Sequence, residues 1–154
     1  MAKKIYRIID ANLNRSREGL RVCEDIARFA LDSKILTDEL KIVRHRISDI
    51  AKSSALEFKG LADARNSEGD ILRRSRFESE MKRRGLSDIF AANIERVKES
   101  LRVLEEVFKL IDVKNSSKFC YLRFRVYAIE EKAISSLRSR LKLTPGGRSN
   151  PKKV

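Results

Sequence analysis

Two polar residues, Asn12 and Arg15, lie at helical spacing beside apolar positions, and the same pair recurs later in the chain as Asn93 and Arg96. Polar groups inside an apolar arc must either find a partner or bind a ligand. Bonds to neighbouring backbone or carboxylates would satisfy the first alternative. Recurrence in both halves equally suits a pseudo-symmetric pocket in which two such sets face each other. The arginines would then bind phosphate, because a planar guanidinium donates to phosphate oxygens in pairs.

A polar segment between the two halves has the residue types of a metal and phosphate site. Asp63, Arg65, Glu68 and Asp70 fall close together, and a basic run follows them. Carboxylates hold Mg²⁺ and arginines hold phosphates, so this mixture suits metal-bridged phosphates, although polar loops of basic proteins often share it. The sequence contains no Walker A pattern, glycine-rich nucleotide fingerprint or HExxH motif, which argues against a standard nucleotide-binding fold.

Further charged residues flank the apolar positions. Arg44 with Arg46, and Arg123 with Arg125, lie at the edges of two apolar stripes, where long basic side chains either snorkel to solvent or reach a central anion. Acidic and basic residues three and four positions apart are expected to form ion pairs on the outer helix surface. These are Glu18, Arg21 and Asp25 in the first half, and Glu99, Arg102 and Glu106 in the second.

Residues for soft metals and redox chemistry are sparse. Cys23 and Cys120 are the only cysteines, and His45 is the only histidine. A zinc site of the usual cysteine and histidine types and a disulfide framework are therefore both excluded. We expect the cysteines to fill the core and His45 to face solvent.

An internal repeat relates the two halves. Residues 11–29 laid over residues 92–110 match at eight of 19 positions (Ala, Asn, Arg, Glu, Leu, Arg, Val and Glu). About one or two matches would arise by chance at ordinary residue frequencies. A weaker similarity follows each copy, between residues 40–50 and residues 119–129. The repeated unit is therefore a pair of segments.

Apolar residues in all four segments recur every three or four positions, which predicts four long amphipathic helices. Thr37, Ser87 and Ser116 are predicted to cap their N-terminal ends. Two similar α-hairpins, each with one apolar face, bury those faces against each other most simply in an all-α four-helix bundle with pseudo-two-fold symmetry.

The predicted domain organisation follows from this pattern. The hairpins cover about residues 8–58 and 88–141, and a connector over 59–87 includes a short charged helix. Together they form a single helical domain over residues 1–141. Residues 142–154 are predicted to be a disordered basic tail or a linker to a further domain.

Composition narrows the class of partner. The 154 residues include 35 lysines and arginines against 22 aspartates and glutamates, a net charge of +13. Such a balance needs an acidic partner, which could be nucleic acid, an anionic membrane surface or a phosphorylated small molecule. Neither a signal peptide nor a membrane-spanning run is evident, so we expect a cytoplasmic protein. Helical proteins of this size often self-associate, which makes a homo-oligomer a further expectation.

Three stretches resemble one family. They are IIDANLNRSREGLRVCEDIARFALD, ADARNSEGD and AANIERVKESLRVLEEVFKL, and together they are similar to the small helical hydroxymethylpyrimidine-phosphate kinases of thiamine biosynthesis. The resemblance runs from about residue 8 to about residue 136, and its most specific element is the string DANxNRxREGLRVxED. Ser100 and Asn66 depart from residues common in the family. Members occur alone or fused in front of thiamine-phosphate synthase, and the tail ends where a synthase domain could begin.

The resemblance implies ATP-dependent phosphorylation of 4-amino-5-hydroxymethyl-2-methylpyrimidine phosphate to the diphosphate, with Mg²⁺. An acceptor phosphate is mostly ionised near neutral pH, so neutralising charge is the larger task. The predicted catalytic residues are Arg15, Arg96 and Asp70. The predicted substrate-binding residues are Asn12, Asn93, Arg65, Arg44 and Arg123, and the predicted metal ligands are Asp10 and Asp70.

Two other function classes fit the charge. A basic helical nucleic-acid-binding module would also carry a net charge of +13, and its affinity would fall steeply with salt. An all-helical enzyme acting on a dicarboxylate, such as a chorismate mutase, would also line a bundle with arginines. The sequence has neither a recognisable DNA-binding motif nor a tandem aromatic platform, so the kinase is the favoured interpretation.

Overall fold

The computed structural model describes residues 2–54 and 83–142. They form four helices and no strands, and the predicted all-α bundle is confirmed. The helices are α1 (Ala2–Phe29), α2 (Lys34–Ser53), α3 (Leu86–Phe108) and α4 (Val113–Lys142). Helix α1 begins six residues before the expected hairpin, because Ile5 and Tyr6 continue the apolar stripe and pack on the core. The predicted charged helix falls largely outside the described residues.

Each helix packs on two neighbours, in the spatial order α1, α2, α4, α3. Helices α1 and α3 run antiparallel, since Gly19 approaches Asn93 while the Cys23 thiol lies 3.7 Å from the carbonyl oxygen of Phe90. The core is mainly apolar, and the rings of Phe108 on α3 and Phe119 on α4 pack with their centroids 4.8 Å apart. No described helix is long and apolar enough to cross a membrane.

Gly19 allows α1 and α3 to approach closely. A Cβ atom at this position would lie 2.8 Å from Cγ2 of Val97 and 2.9 Å from the backbone oxygen of Asn93. The second distance involves backbone, which cannot rotate away. The α1–α3 contact therefore depends on the absence of a side chain at Gly19.

The helix starts differ from the predicted caps. The side chain of Ser33, rather than Thr37, caps α2, and it accepts from the backbone N–H of Leu36 at 3.4 Å. Helix α4 begins before Ser116, whose hydroxyl donates to the carbonyl of Glu105 at 2.7 Å. Ser87 lies inside α3, and Gly85 takes the cap position. The predicted caps are therefore wrong by about one turn or less.

Candidate functional site

A buried glutamate links the two helices of each hairpin. In the first hairpin, Glu24 of α1 accepts from Nε of Arg44 on α2 at 2.9 Å and from Nη1 of Arg21 at 3.2 Å. In the second, Glu105 of α3 accepts from Nε of Arg123 on α4 at 3.0 Å and from Nη1 of Arg102 at 2.6 Å. The same atoms pair in both halves, so the repeat is a structural duplication.

These ion pairs are shielded from water. The side chains of Glu24 and Glu105 are 9% and 8% exposed, and those of Arg44 and Arg123 are 17% and 14% exposed. Buried charges require partners of this kind, and losing one partner leaves the other uncompensated. Arg44 and Arg123, predicted to reach a ligand, thus lie on opposite sides of the bundle and each contacts its own buried glutamate.

The predicted surface pairs form only in part. Arg102 also contacts Glu106, with Nη2 and Oε1 2.9 Å apart, as expected. Glu18 and Glu99 are exposed and form no ion pair within the described ranges. Their expected partners turn instead toward the buried glutamates.

Glu24 ends a row of polar residues along the α2 side of α1, which we call the first polar strip. Its members are Asp10, Asn14, Arg17, Arg21 and Glu24. Alternating spacings of four and three residues place them on one helical face over about 20 Å. All five belong to the DANxNRxREGLRVxED string. The string therefore supplies a continuous polar face of α1 in addition to the repeated positions. The residue types alone did not reveal this face.

The centre of the first polar strip is rich in donors. Asn14 donates from Nδ2 to Oδ2 of the buried Asp10 at 3.4 Å. Arg17 donates from Nε to the carbonyl of Leu13 at 3.0 Å. Its two terminal nitrogens contact no acidic group in the described part of the chain. Arg17 therefore presents a half-buried guanidinium that suits an anion.

The corresponding row on α3, which we call the second polar strip, consists of Glu95, Lys98, Arg102 and Glu105. Its cations are already neutralised. Lys98, the counterpart of Arg17, donates to Glu130 of α4 at 2.8 Å and lies 2.6 Å from Glu95. Burial disfavours the charged form of Lys98, but hydrogen bonds to Glu130 and Glu95 raise its pKa above the ordinary value. The ring of Tyr127 covers the same ammonium at 5.2 Å.

Smaller residues stand at the matching places of the first hairpin. The offset of 79 residues that maps Arg44 onto Arg123 maps Ser48 onto Tyr127 and Ala51 onto Glu130. The first polar strip thus lacks the ring and the carboxylate that close the second. Of the two matching strips, only the first leaves cationic groups for a ligand in the described structure.

The α1–α3 contact holds the other predicted residues. Asn12 and Asn93 each donate from Nδ2 to the carbonyl four residues earlier, at 2.8 Å in both cases. Arg15 and Arg96 are exposed and contact no acidic residue within the described ranges. Gly19 abuts the backbone of Asn93, so α1 and α3 approach closely next to these residues.

Asp10 does not share that face. It lies five residues from Arg15, which places the two side chains about 140° apart around the helix. Among the described residues, no group of three or more potential ligands could hold a metal by itself. A single buried carboxylate still fits Mg²⁺, because this ion usually takes one or two carboxylates together with substrate phosphates and water. The predicted site residues Arg65 and Asp70 lie outside the described residues.

Comparison with known proteins assigns the family. The model of the ThiD2 family matches residues 7–132. The chain belongs to the ThiD2 family. The matched range includes both copies of the repeat and both polar strips, and the family resemblance seen in the sequence is confirmed.

Curated relatives of this ThiD2 chain are longer proteins. The thiamine-phosphate synthase of Synechocystis sp. (strain ATCC 27184 / PCC 6803 / Kazusa) is 39% identical over 132 residues, which are 86% of this chain and 37% of the relative. That of Nostoc sp. (strain PCC 7120 / SAG 25.82 / UTEX 2576) is 36% identical over 137 residues, 89% of this chain and 37% of the relative. The chain thus spans somewhat more than a third of these relatives. No solved structure matches it significantly.

Proposed function

We propose that this chain takes part in thiamine biosynthesis and transfers a phosphoryl group from ATP to hydroxymethylpyrimidine phosphate. Membership of the ThiD2 family and the likeness to proteins named thiamine-phosphate synthase support the pathway. The observation that carries the kinase reaction is the first polar strip, whose basic centre is left open while its counterpart on α3 is closed.

The charges of the first polar strip match the chemistry. Both substrates bring phosphates, and an acceptor monoester with a second pKa of about 6 is already mostly ionised at neutral pH. Its oxygen therefore needs little help from a general base, and the enzyme must chiefly offset repulsion between anions. Arg17 supplies an open guanidinium for this purpose. Arg21 follows one turn further along α1, and Glu24 holds both Arg21 and Arg44 in place.

Asp10 would hold Mg²⁺ at the end of this row, together with Asp70 from the connector. A bound Mg²⁺ would supply positive charge to offset that of the nucleotide phosphates. Asn14 holds the Asp10 carboxylate through its 3.4 Å hydrogen bond, and so orients it for this role.

The α1–α3 face lies on the other side of α1 from the first polar strip and would be a separate surface for substrate. Asn12 and Asn93 each donate a side-chain amide hydrogen to a backbone carbonyl, which fixes the side chain. The side-chain oxygen is left to accept from the pyrimidine amino group. We assign Arg15 and Arg96, with Arg65, to phosphates. Changing Arg15 or Arg96 to Ala should lower turnover without loss of fold, and near-normal turnover would remove that residue from the site.

The test is ADP release from Mg-ATP with hydroxymethylpyrimidine phosphate as acceptor. Reactions with the unphosphorylated alcohol and without acceptor serve as controls. Release that depends on the phosphate ester supports the kinase. Absence of release from folded protein with excess Mg²⁺ and ATP refutes it and favours the nucleic-acid-binding alternative, which salt-dependent binding to an oligonucleotide would then check.

The same proposal extends to partners. Fusion to, or association with, a thiamine-phosphate synthase would place the product close to the next enzyme, as the longer relatives suggest. Self-association and a cytoplasmic location remain predictions. Sedimentation of the purified chain over a range of concentrations tests the former.

A further inference from the structure

A cavity with a mainly apolar wall and two cationic side chains lies between the end of α2 and the start of α4. Its volume is about 460 Å³. Arg46 and Lys118 line it with positive charge, while Tyr121 and Leu122 supply aromatic and apolar surface. Since Arg44 faces α1, and Arg46 lies two residues further along, the cavity is on the opposite edge of α2 from the first polar strip. It is therefore a separate site.

The repeat shows that a basic residue stands at this cavity where the matching position is acidic. The offset of 79 residues maps Glu39 onto Lys118 and Arg46 onto Arg125. At the far end of the α2–α4 contact, Glu39 accepts from Nζ of Lys132 at 2.9 Å and lies 3.8 Å from Nη2 of Arg125. That end is closed by ion pairs. At the cavity, a lysine stands where the matching end has the glutamate.

Both cations of the cavity can take up an anion. Arg46 forms no ion pair with a described residue, and Asp49, which also lines the cavity, lies beyond ion-pair distance from it. Lys118 donates once, to Oδ1 of Asn115 at 2.8 Å, which leaves two of its three donors. The tyrosine at the wall, Tyr121, is more than half exposed and offers a ring face.

We propose that this cavity binds a phosphorylated heterocycle that carries an amino group. The phosphate contacts Arg46 and Lys118, the ring packs on Tyr121, and Asp49 accepts from the amino group. Adenine nucleotides and aminopyrimidine phosphates share this chemistry. The choice of these two ligands rests on the proposed function. The observation of the cavity and its charges does not depend on it.

Direct titration tests the site. ADP, the aminopyrimidine phosphate and inorganic phosphate are titrated separately into the full chain by calorimetry, without a second substrate. The Lys118→Glu variant introduces at the cavity the glutamate that the matching, closed end of the α2–α4 contact already has. Lys114→Glu is the matched control, because Lys114 is exposed one turn earlier, does not line the cavity and gives the same change in net charge.

We expect one of the two heterocyclic ligands to bind at the cavity about tenfold or more weakly in Lys118→Glu, since charged hydrogen bonds are lost. Lys114→Glu should stay within about twofold of the parent protein. Arg46→Gln should reproduce the loss, and Tyr121→Ala should weaken the heterocycle but not inorganic phosphate. Circular dichroism confirms that each variant is folded.

Two results would overturn the proposal. Equal weakening by the Lys118 and Lys114 variants would show only long-range charge, and unchanged binding in the Lys118 variant would show that no ligand occupies the cavity. Photolabelling with 8-azido-ADP then locates any bound nucleotide, on residues 119–123 for the cavity or on α1 for the first polar strip. Turnover is measured separately. If the parent protein binds ligand at the cavity but shows no turnover, only the proposed kinase reaction is refuted. If the parent protein turns over and the Lys118→Glu variant still binds ligand normally, only the proposed cavity site is refuted.

Discussion

Replacing the two buried glutamates separates a structural role from a functional one. Glu24→Gln and Glu105→Gln each remove a carboxylate that accepts from two arginines, in nearly the same geometry. Breaking a fully buried ion pair costs about 3 to 5 kcal/mol. Glutamine keeps one acceptor oxygen and the arginines keep some contact with water, so we expect each variant to lose about 2 to 3 kcal/mol. Melting temperatures should fall by about 4 to 12 °C in both.

Activity should distinguish the two variants. Without Glu24, neither Arg21 nor Arg44 is held at the end of the first polar strip, and displacement by about 1 Å costs up to about 100-fold in rate. We expect kcat/KM for ADP release to fall by about 10- to 100-fold in Glu24→Gln. Glu105 supports a strip that is already neutralised, so Glu105→Gln should keep kcat/KM within about threefold of the parent value.

The assay pairs urea denaturation with steady-state kinetics at a temperature where both variants remain folded. Glu24→Asp is a further check, because it restores the charge on a shorter side chain and should recover part of the activity. Equal losses of activity in Glu24→Gln and Glu105→Gln would refute the assignment of the reaction to the first polar strip. A loss confined to Glu105→Gln would move the reaction to α3 and α4.

Three further outcomes follow from the same contacts. Arg17→Gln should lower kcat/KM by about 10- to 100-fold with little change in melting temperature. Lys98→Gln should mainly lower the melting temperature. A loss of activity in Lys98→Gln and a loss of stability in Arg17→Gln would contradict the assignment of the reaction to the first polar strip. Gly19→Ala should destabilise the protein by about 1 to 2 kcal/mol in urea, since overpacking outweighs the better helix propensity of alanine, and a stabilised variant would contradict the close α1–α3 contact. Burial, with the nearby Glu130 charge, raises the pKa of Cys23 to about 12, so iodoacetamide at pH 8 should spare Cys23 until urea is added, and mass spectrometry of the folded protein would expose any early labelling.

The sequence predicted those features of the fold that depend on local periodicity. Apolar spacing identified all four helices and their pairing, because burial of one face is the main source of helix stability. It did not select the caps, since Ser33 and Thr37 lie one turn apart and have similar preferences. Phe29 and Leu110, which adjoin the apolar stripe at matching positions, are mostly exposed, so the buried face is narrower than the row of apolar residues.

The candidate site was harder to predict because its contacts join different helices. Glu24 lies three residues from Arg21, and this spacing is typical of an ion pair on the helix surface. Its buried partner is instead Arg44, 20 residues away in the sequence. Spacing along one helix carries no information about such a partner. The one signal available in the sequence was the retention of the same glutamate and arginines in both copies of the repeat.

Comparison of the two copies separates scaffold from site. A duplicated hairpin needs the same contacts twice wherever they hold helices together, and the buried glutamates and their arginines are kept in both halves. A ligand breaks that equivalence, because an asymmetric substrate needs open charge in one half only. Two differences between the copies concern the pairing of charge: Arg17 is open whereas its counterpart Lys98 is neutralised, and Lys118 stands where the matching position holds the paired Glu39. Both differences leave positive charge uncompensated by a described residue, as binding of phosphorylated ligands requires.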